Sequence, residues 1–199
     1  LGNSGWSYED VLPYFKKSES FQGENSSEYH GFDGPLAVTR TKRTDDLLLD
    51  KFIEAGQQAG HPLTEDFNGK DQEGVSRYEH TMMGSKRCSA SKAYLHPALR
   101  RKNLETQLNV TVDKVMIVGN KAIGIKYQKK GKDFAVFANK EIILCSGALS
   151  SPMILMRSGI GNTSELSKLG IKTLFKLDGV GKNLQDHIAV STQFESIKP

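Results

Sequence analysis

The segment that most constrains the fold is GALSSPMILMRSGIG, residues 147–161, which follows the apolar run EIILCS. An apolar run of this kind predicts a strand that is buried on both faces of a layered α/β core. Gly147 and Ala148 would then leave the strand end open to a close neighbour, and Pro152 predicts a helix of which it occupies the first turn. Such an arrangement favours a bound cofactor or anion, but close packing of a strand–helix turn explains the same residues equally well.

Helices are also predicted on either side of this segment. SYEDVLPYFKKSE has Ser7 as a cap, with Asp10 three residues later, and Pro13 is expected to kink or shorten the helix. TDDLLLDKFIEAGQQAG is amphipathic, with Thr44 or Asp45 as its cap and Gly60 as its stop. Shorter helices are predicted in SASKAYLHPALR and NTSELSKLG.

Strands are predicted mainly between residues 103 and 147. NVTVDKVMIV and KAIGIKYQ are joined by Gly119-Asn120, and the next run, FAVFA, follows KKGKD, so both joins have the pattern of hairpins. IKTLFKL predicts a further strand, and GVGKNLQDH predicts a loop. Residues 21–35 are polar and glycine-rich, which indicates turns.

Composition excludes several classes of function. Hydrophobic residues make up 37% of the 199 residues and charged residues 25%, which is typical of a globular protein. The net charge of +4 is scattered, without the aromatic interleaving of nucleic-acid binders, and no apolar run is long enough to span a membrane. The two cysteines and five histidines are widely separated, so we predict no metal site.

Three glycosylation sequons begin at Asn25, Asn109 and Asn162. Together with the family resemblance described below, they weakly favour a secreted or extracellular protein, since such triplets also arise by chance.

No dinucleotide fingerprint is complete in this chain. GVGKNL, residues 179–184, begins like G-x-G-x-x-G, but Leu184 stands where the third glycine is needed for close helix packing. No P-loop, nucleophile elbow or paired-carboxylate signature is present in the sequence either.

The segment 147–161 resembles the second signature of the glucose–methanol–choline (GMC) family of FAD-dependent oxidoreductases. Four companion segments agree with the family in order and spacing, so that the resemblance covers essentially the whole chain. They are GWSYEDVLPYFKKSE with HGFDGPLAV, EDFNGKDQEG, GSKRCSASKAYLHPALRRKNL and GVGKNLQDH. The cysteine at position 88 resembles the residue found there in the invertebrate glucose dehydrogenase branch of this family.

The resemblance implies that FAD is the cofactor and that Val112, Gly147 and Ala148 line it. Val112 would contact the adenine through its backbone. Asp186 and His187 match a family motif, which implies either a contact with the flavin or a buried loop fixed by an Asp–His hydrogen bond. Arg87 and Ser89 match as well, with a structural role, and we expect Cys145 to be a small apolar residue of the core.

The implied fold is α/β (α+β overall): part of an FAD-binding Rossmann-like domain with inserted antiparallel strands, and part of a substrate domain. We expect residues 1–76 to belong to the lid and substrate domain, 77–164 to the FAD-binding domain, and 165–199 to the next substrate-domain segment. The chain would then be an internal part of a longer protein, with the catalytic residues outside it, so that the isolated chain is inactive.

The implied activity is oxidation of a sugar or primary alcohol to a carbonyl compound, with hydride transfer to flavin N5 and a quinone or oxygen as the electron acceptor. Two alternatives remain open: a secreted relative that keeps the fold without turnover, and an interaction domain without a cofactor.

Overall fold

The chain divides into two units, Leu1–Glu105 and Thr106–Pro199, in a computed structural model that describes residues 2–23, 28–40, 47–193 and 195. Both units combine helices with strands, which confirms the mixed α/β class. The assignment of 1–76, 77–164 and 165–199 to domains of a longer protein stays a prediction.

The described residues of the first unit form three helices and five short strands. The helices are α1 (Tyr8–Ser18), α2 (Leu47–Gln58) and α3 (His96–Ala98), the last preceded by a π-helical turn at Ser91–Leu95. The strands are β1 (Glu19–Phe21), β2 (Leu36–Arg40), β3 (Glu79–His80), β4 (Met82–Met83) and β5 (Lys86–Arg87). β2 lies between β1, which is parallel to it, and β3, which is antiparallel, while β4 pairs with β5.

Local signals account for the ends of α1 and α2. The Ser7 hydroxyl accepts a hydrogen bond from the Asp10 amide, and the Asp10 carboxylate accepts one from the Ser7 amide, so the predicted capping box is confirmed. Pro13 lies inside α1 without ending it. Gly60, with φ +95°, follows α2 as predicted, whereas Thr44 and Asp45 lie outside the described residues.

The second unit is built around an antiparallel three-stranded sheet. Its strands are β6 (Thr111–Val118), β7 (Lys121–Lys129) and β8 (Lys132–Phe137). After them come α4 (Gly147–Arg157), β9 (Ile160–Gly161), α5 (Thr163–Lys168) and β10 (Phe175–Lys176), and β9 pairs in parallel with β10. Both predicted hairpins are confirmed, with turns at Gly119-Asn120 and at Lys130-Gly131.

The predicted buried strand before α4 is wrong for this chain. Residues 141–146 form no strand; Ile143 is 73% exposed, and Cys145, expected in the core, is exposed too. A buried strand needs ladder partners on both sides, and no described segment pairs with 141–146. The predicted position of Pro152 is also wrong, because α4 begins at Gly147 and therefore places the proline in its second turn.

Candidate functional site

Gly147 and Ala148 are the first two residues of α4. Gly147 has φ +85°, a conformation that glycine adopts without strain, and an added Cβ there would meet no atom within 4 Å. Ser146, which precedes the helix, makes no capping bond with its side chain. The first amide groups of α4 therefore lie at an open, exposed helix end, which suits a ligand with negative charge.

Val112 lies near the start of β6, at an irregularity in the sheet. It pairs with Tyr127 of β7, and the register then shifts before Lys114 pairs with Lys126. Such a bulge leaves part of the ladder without its regular backbone partners. Asp113 is thereby left without a partner on β7, and another group bonds to the backbone there.

Arg157, in the last turn of α4, supplies that group. Its Nε donates to the Asp113 carbonyl at 2.8 Å, and its Nη2 donates to the Val112 carbonyl at 3.1 Å. One planar guanidinium thus holds two consecutive carbonyl groups of β6.

Ser158, which is 4% exposed, makes a second connection between the same elements. Its hydroxyl accepts from the Val115 amide at 2.8 Å and donates to the Ile154 carbonyl at 2.6 Å. We call Arg157, Ser158 and their backbone partners on β6 the α4–β6 junction. No sequence pattern predicts a role for either side chain. The only signal was an arginine followed by a serine at the end of an apolar helix.

The predicted cofactor residues lie toward opposite ends of α4. An 11-residue helix is about 15 Å long, with Gly147 at one end and Arg157 at the other, where its side chain reaches Val112. A single ring cannot contact both regions, whereas an extended dinucleotide can. The residues present therefore fit FAD, with the Val112 carbonyl group oriented by Arg157 on β6 and the first amide groups of α4 at Gly147 and Ala148.

The first unit contains a buried ionic group that the sequence analysis did not predict. His30, 3% exposed, has Nδ1 at 3.0 Å from both carboxylate oxygens of Glu19 and Nε2 at 2.9 Å from Asp66 Oδ2. We call these three residues the His30 cluster. The His30 ring also stacks on Phe21, with 3.9 Å between the ring centroids. The cluster joins β1 to two loops, which is a structural role.

The His30 cluster favours the protonated imidazole. Burial alone lowers the pKa of His30, but hydrogen bonds to Glu19 and Asp66 outweigh it, so the pKa is raised above its ordinary value of 6.5. With both ring nitrogens protonated, each one donates to a carboxylate. A neutral ring would turn a lone pair toward one of them.

Two glycines near His30 explain much of the HGFDGPL motif. A Cβ on Gly31 would lie 1.7 Å from the Lys16 carbonyl oxygen, and one on Gly34 would lie 2.3 Å from the Ser18 carbonyl carbon. The loop therefore lies directly against the end of α1, at a distance that only glycine allows.

The remaining matched residues have local roles or lie exposed. Asp186 Oδ1 accepts a hydrogen bond from the His187 backbone amide at 2.8 Å, so an Asp–His hydrogen bond is present. Both residues are exposed, so the expected burial of this loop is wrong for this chain. Ser89 Oγ accepts from the Lys92 amide at 3.3 Å, at the start of the π-helical turn. Arg87 lies exposed in β5.

Cys88 is 3% exposed and packs in a small core with Ala37 and Ala93. Among the described residues, no helix has the length and apolar character needed to cross a membrane.

Comparison with known proteins gives a consistent result. A sequence model of the family described as GMC oxidoreductase matches residues 1–189. The chain is 47% identical over 198 residues to the mitochondrial choline dehydrogenase of Homo sapiens, covering 100% of this chain and 33% of that protein. It is 42% identical over 199 residues to the oxygen-dependent choline dehydrogenase of Chromohalobacter salexigens, covering 100% of this chain and 36% of the relative.

Solved structures agree. Pyridoxine 4-oxidase from Mesorbium loti matches with a TM-score of 0.85 and 34% identity, over 94% of this chain and 36% of its own. An FAD-dependent oxidoreductase from Chaetomium thermophilum matches with a TM-score of 0.85 and 31% identity, over 93% of this chain and 34% of its own. These comparisons support FAD as the cofactor.

The chain thus spans about a third of the length of the relatives it matches. The expected placement in an invertebrate glucose dehydrogenase branch is not supported, because the curated relatives described above are choline dehydrogenases. Cys88, on which that placement depended, is a small residue of the core. With a family match over residues 1–189 and two solved relatives of the same fold, the chain belongs to the GMC oxidoreductase family.

Proposed function

We propose that the longer protein containing this chain oxidises choline or a closely similar alcohol, a primary alcohol with a quaternary ammonium group, to the carbonyl compound. The observation that carries the proposal is the 47% identity to human choline dehydrogenase across the whole chain, with 40–43% identity to further choline dehydrogenases. Sugar oxidation, the other activity implied by the family resemblance, has no comparable support.

FAD, when bound, supplies the hydride acceptor for this oxidation. The residues of this chain bind and orient that cofactor. The carbonyl edge at Val112 suits the adenine end, and the open amides at Gly147 and Ala148 suit the negatively charged or flavin-proximal part. No residue of this chain is assigned to proton transfer, so the prediction that the catalytic residues lie elsewhere in the protein is kept.

Steady-state kinetics of the full-length holoenzyme test the substrate. Choline, glucose and 3,3-dimethyl-1-butanol, the uncharged carbon analogue of choline, are compared with oxygen and with a soluble quinone as acceptors. We expect kcat/KM to be highest for choline and at least tenfold lower for the uncharged analogue, because recognition of a quaternary ammonium depends on its charge. Turnover of glucose in preference to choline would contradict the choline proposal. A protein that binds FAD but oxidises none of these alcohols would be the non-catalytic relative.

The secreted location stays a prediction that can be tested separately. Asn25 lies outside the described residues, and the Asn162 amide nitrogen donates to Asp178 at 2.8 Å, a bond that a glycan on that nitrogen would disturb. Asn109 is exposed with φ 57° and is the more accessible acceptor. A shift in mass after N-glycosidase treatment of protein made in its own cells would support secretion, and an unchanged mass would count against it.

A further inference from the structure

We propose that Arg157 is a positioning residue for the adenine end of FAD, acting through the Val112 carbonyl group. The inference rests on the proposed function, because it assumes that the full-length protein binds FAD. It goes further in assigning cofactor selectivity to an arginine side chain that makes no contact with the cofactor itself.

The bulge in β6 lies directly beside Val112. The β6–β7 register shifts between Val112 and Lys114, so Asp113 has no partner on β7, while Val112 pairs with Tyr127. Arg157 bonds to the carbonyl oxygens of Val112 and Asp113, on either side of the peptide bond at which the register shifts. The guanidinium therefore restrains the backbone where the ladder is interrupted.

The Val112 carbonyl oxygen has two lone pairs. A carbonyl oxygen can accept two hydrogen bonds, and Arg157 Nη2 supplies one of them at 3.1 Å. In the proposed complex the amino group of adenine supplies the second. By fixing the direction of the carbonyl, Arg157 determines where that donor must lie.

The geometry of the Arg157 guanidinium suits two neighbouring carbonyl groups. Nε and Nη2 lie on one edge of a rigid planar group, so they can hold two successive carbonyl groups at fixed spacing, which a lysine ammonium cannot reproduce. Ser158 keeps the end of α4 against β6 through Val115, so the arginine starts from a fixed point.

The experiment compares two cofactors on full-length apoprotein. FAD and its inosine analogue, flavin hypoxanthine dinucleotide, are titrated by quenching of flavin fluorescence. The analogue carries a keto oxygen in place of the adenine amino group and cannot donate to the Val112 carbonyl. We expect the wild-type protein to prefer FAD by about tenfold, or about 1.4 kcal/mol, which is the size of one such hydrogen bond.

Arg157→Leu is expected to weaken FAD binding by about tenfold and to reduce the preference over the analogue to about twofold. Arg157→Lys should lie between, which also keeps the test valid if the leucine variant fails to fold. Lys168→Leu removes an exposed cation from the last turn of α5 and should leave both affinities unchanged.

The outcomes separate the proposals. Equal weakening of both cofactors in the Arg157 variants, or no weakening at all, overturns the positioning role while leaving FAD binding intact. A wild-type protein that binds neither flavin overturns the proposed function and this inference with it. Loss of the preference for FAD in the Arg157 variants alone supports the inference.

Discussion

The first unit joins distant segments through the charged His30 cluster, whereas the second unit joins α4 to β6 through a serine hydroxyl and an arginine bound to carbonyl groups. Both connections bridge residues far apart in sequence, and both involve side chains that are buried or bonded to backbone. They differ in what controls them. The His30 cluster depends on the protonation of one imidazole. The α4–β6 junction consists of a guanidinium, a hydroxyl group and backbone amide and carbonyl groups. The difference predicts that the two units respond differently to pH and to substitution.

The largest effect is expected for His30→Leu. Removing the imidazole leaves two partly buried carboxylates, Glu19 and Asp66, without their shared cation, and breaking such a group costs about 3 kcal/mol. Hydrogen exchange in the full-length protein would report this through the Phe21 amide, which donates to the Gly31 carbonyl at 2.8 Å. The Val115 amide, in the other unit, serves as the control. Equal loss of protection at both amides would contradict a local role.

Ser158→Ala is expected to have the next largest effect, about 2 kcal/mol, because it leaves the buried Val115 amide without an acceptor. The loss should be the same at pH 5.5 and pH 8.5. Ser167→Ala, an exposed serine on α5, is the matched control and should change stability by less than about 0.5 kcal/mol. If the loss of protection at the Val115 amide varied with pH, the α4–β6 junction would depend on pH as the His30 cluster does, and the expected difference between the units would be wrong.

A smaller effect is expected from pH alone in the first unit. The folded-state pKa of His30 is raised above 6.5, so its stabilisation is fully present below the unfolded pKa and is lost as pH rises through the folded pKa. Protection of Phe21 in the wild-type protein should therefore fall between pH 6 and pH 9, relative to His30→Gln. The difference between the two proteins would stay constant if folding left the pKa of His30 unchanged.

The smallest effect is expected for Lys51→Met, which removes an exposed ion pair with Glu54, three residues later on α2. Both side chains are more than half exposed, so the free energy of unfolding should change by less than about 0.5 kcal/mol. A larger loss of unfolding free energy would mean that exposed ion pairs also stabilise the first unit, and not only the buried His30 cluster.

The sequence predicts those parts of the fold that depend on neighbouring residues. The capping box at Ser7 and the turns at Gly119 and Lys130 follow from local pattern, and the structure confirms them. The helix that contains Pro152 is also confirmed, although it begins earlier than predicted. The strand expected at 141–146 failed because a buried strand depends on partners remote in sequence, which periodicity does not reveal.

The candidate site is predictable only in part, for the same reason. The resemblance to the family pointed to Val112, Gly147 and Ala148, and their contact with FAD stays a prediction. The contacts of Arg157 with Val112 span 45 residues, and those of His30 with Asp66 span 36. No local pattern in the sequence indicates either pair, so only the three-dimensional structure identifies them.

The close approach of Gly31 to the Lys16 carbonyl has a consequence for mutational selection. No side chain fits there, and Gly34 is restricted in the same way, whereas Asp33 between them is exposed. In a library with random codons across HGFDG, selected for folded protein, both glycine positions should return glycine alone while position 33 accepts most residues. The glycines of the motif are then required by the close packing of this loop against the end of α1, and not by contact with a substrate.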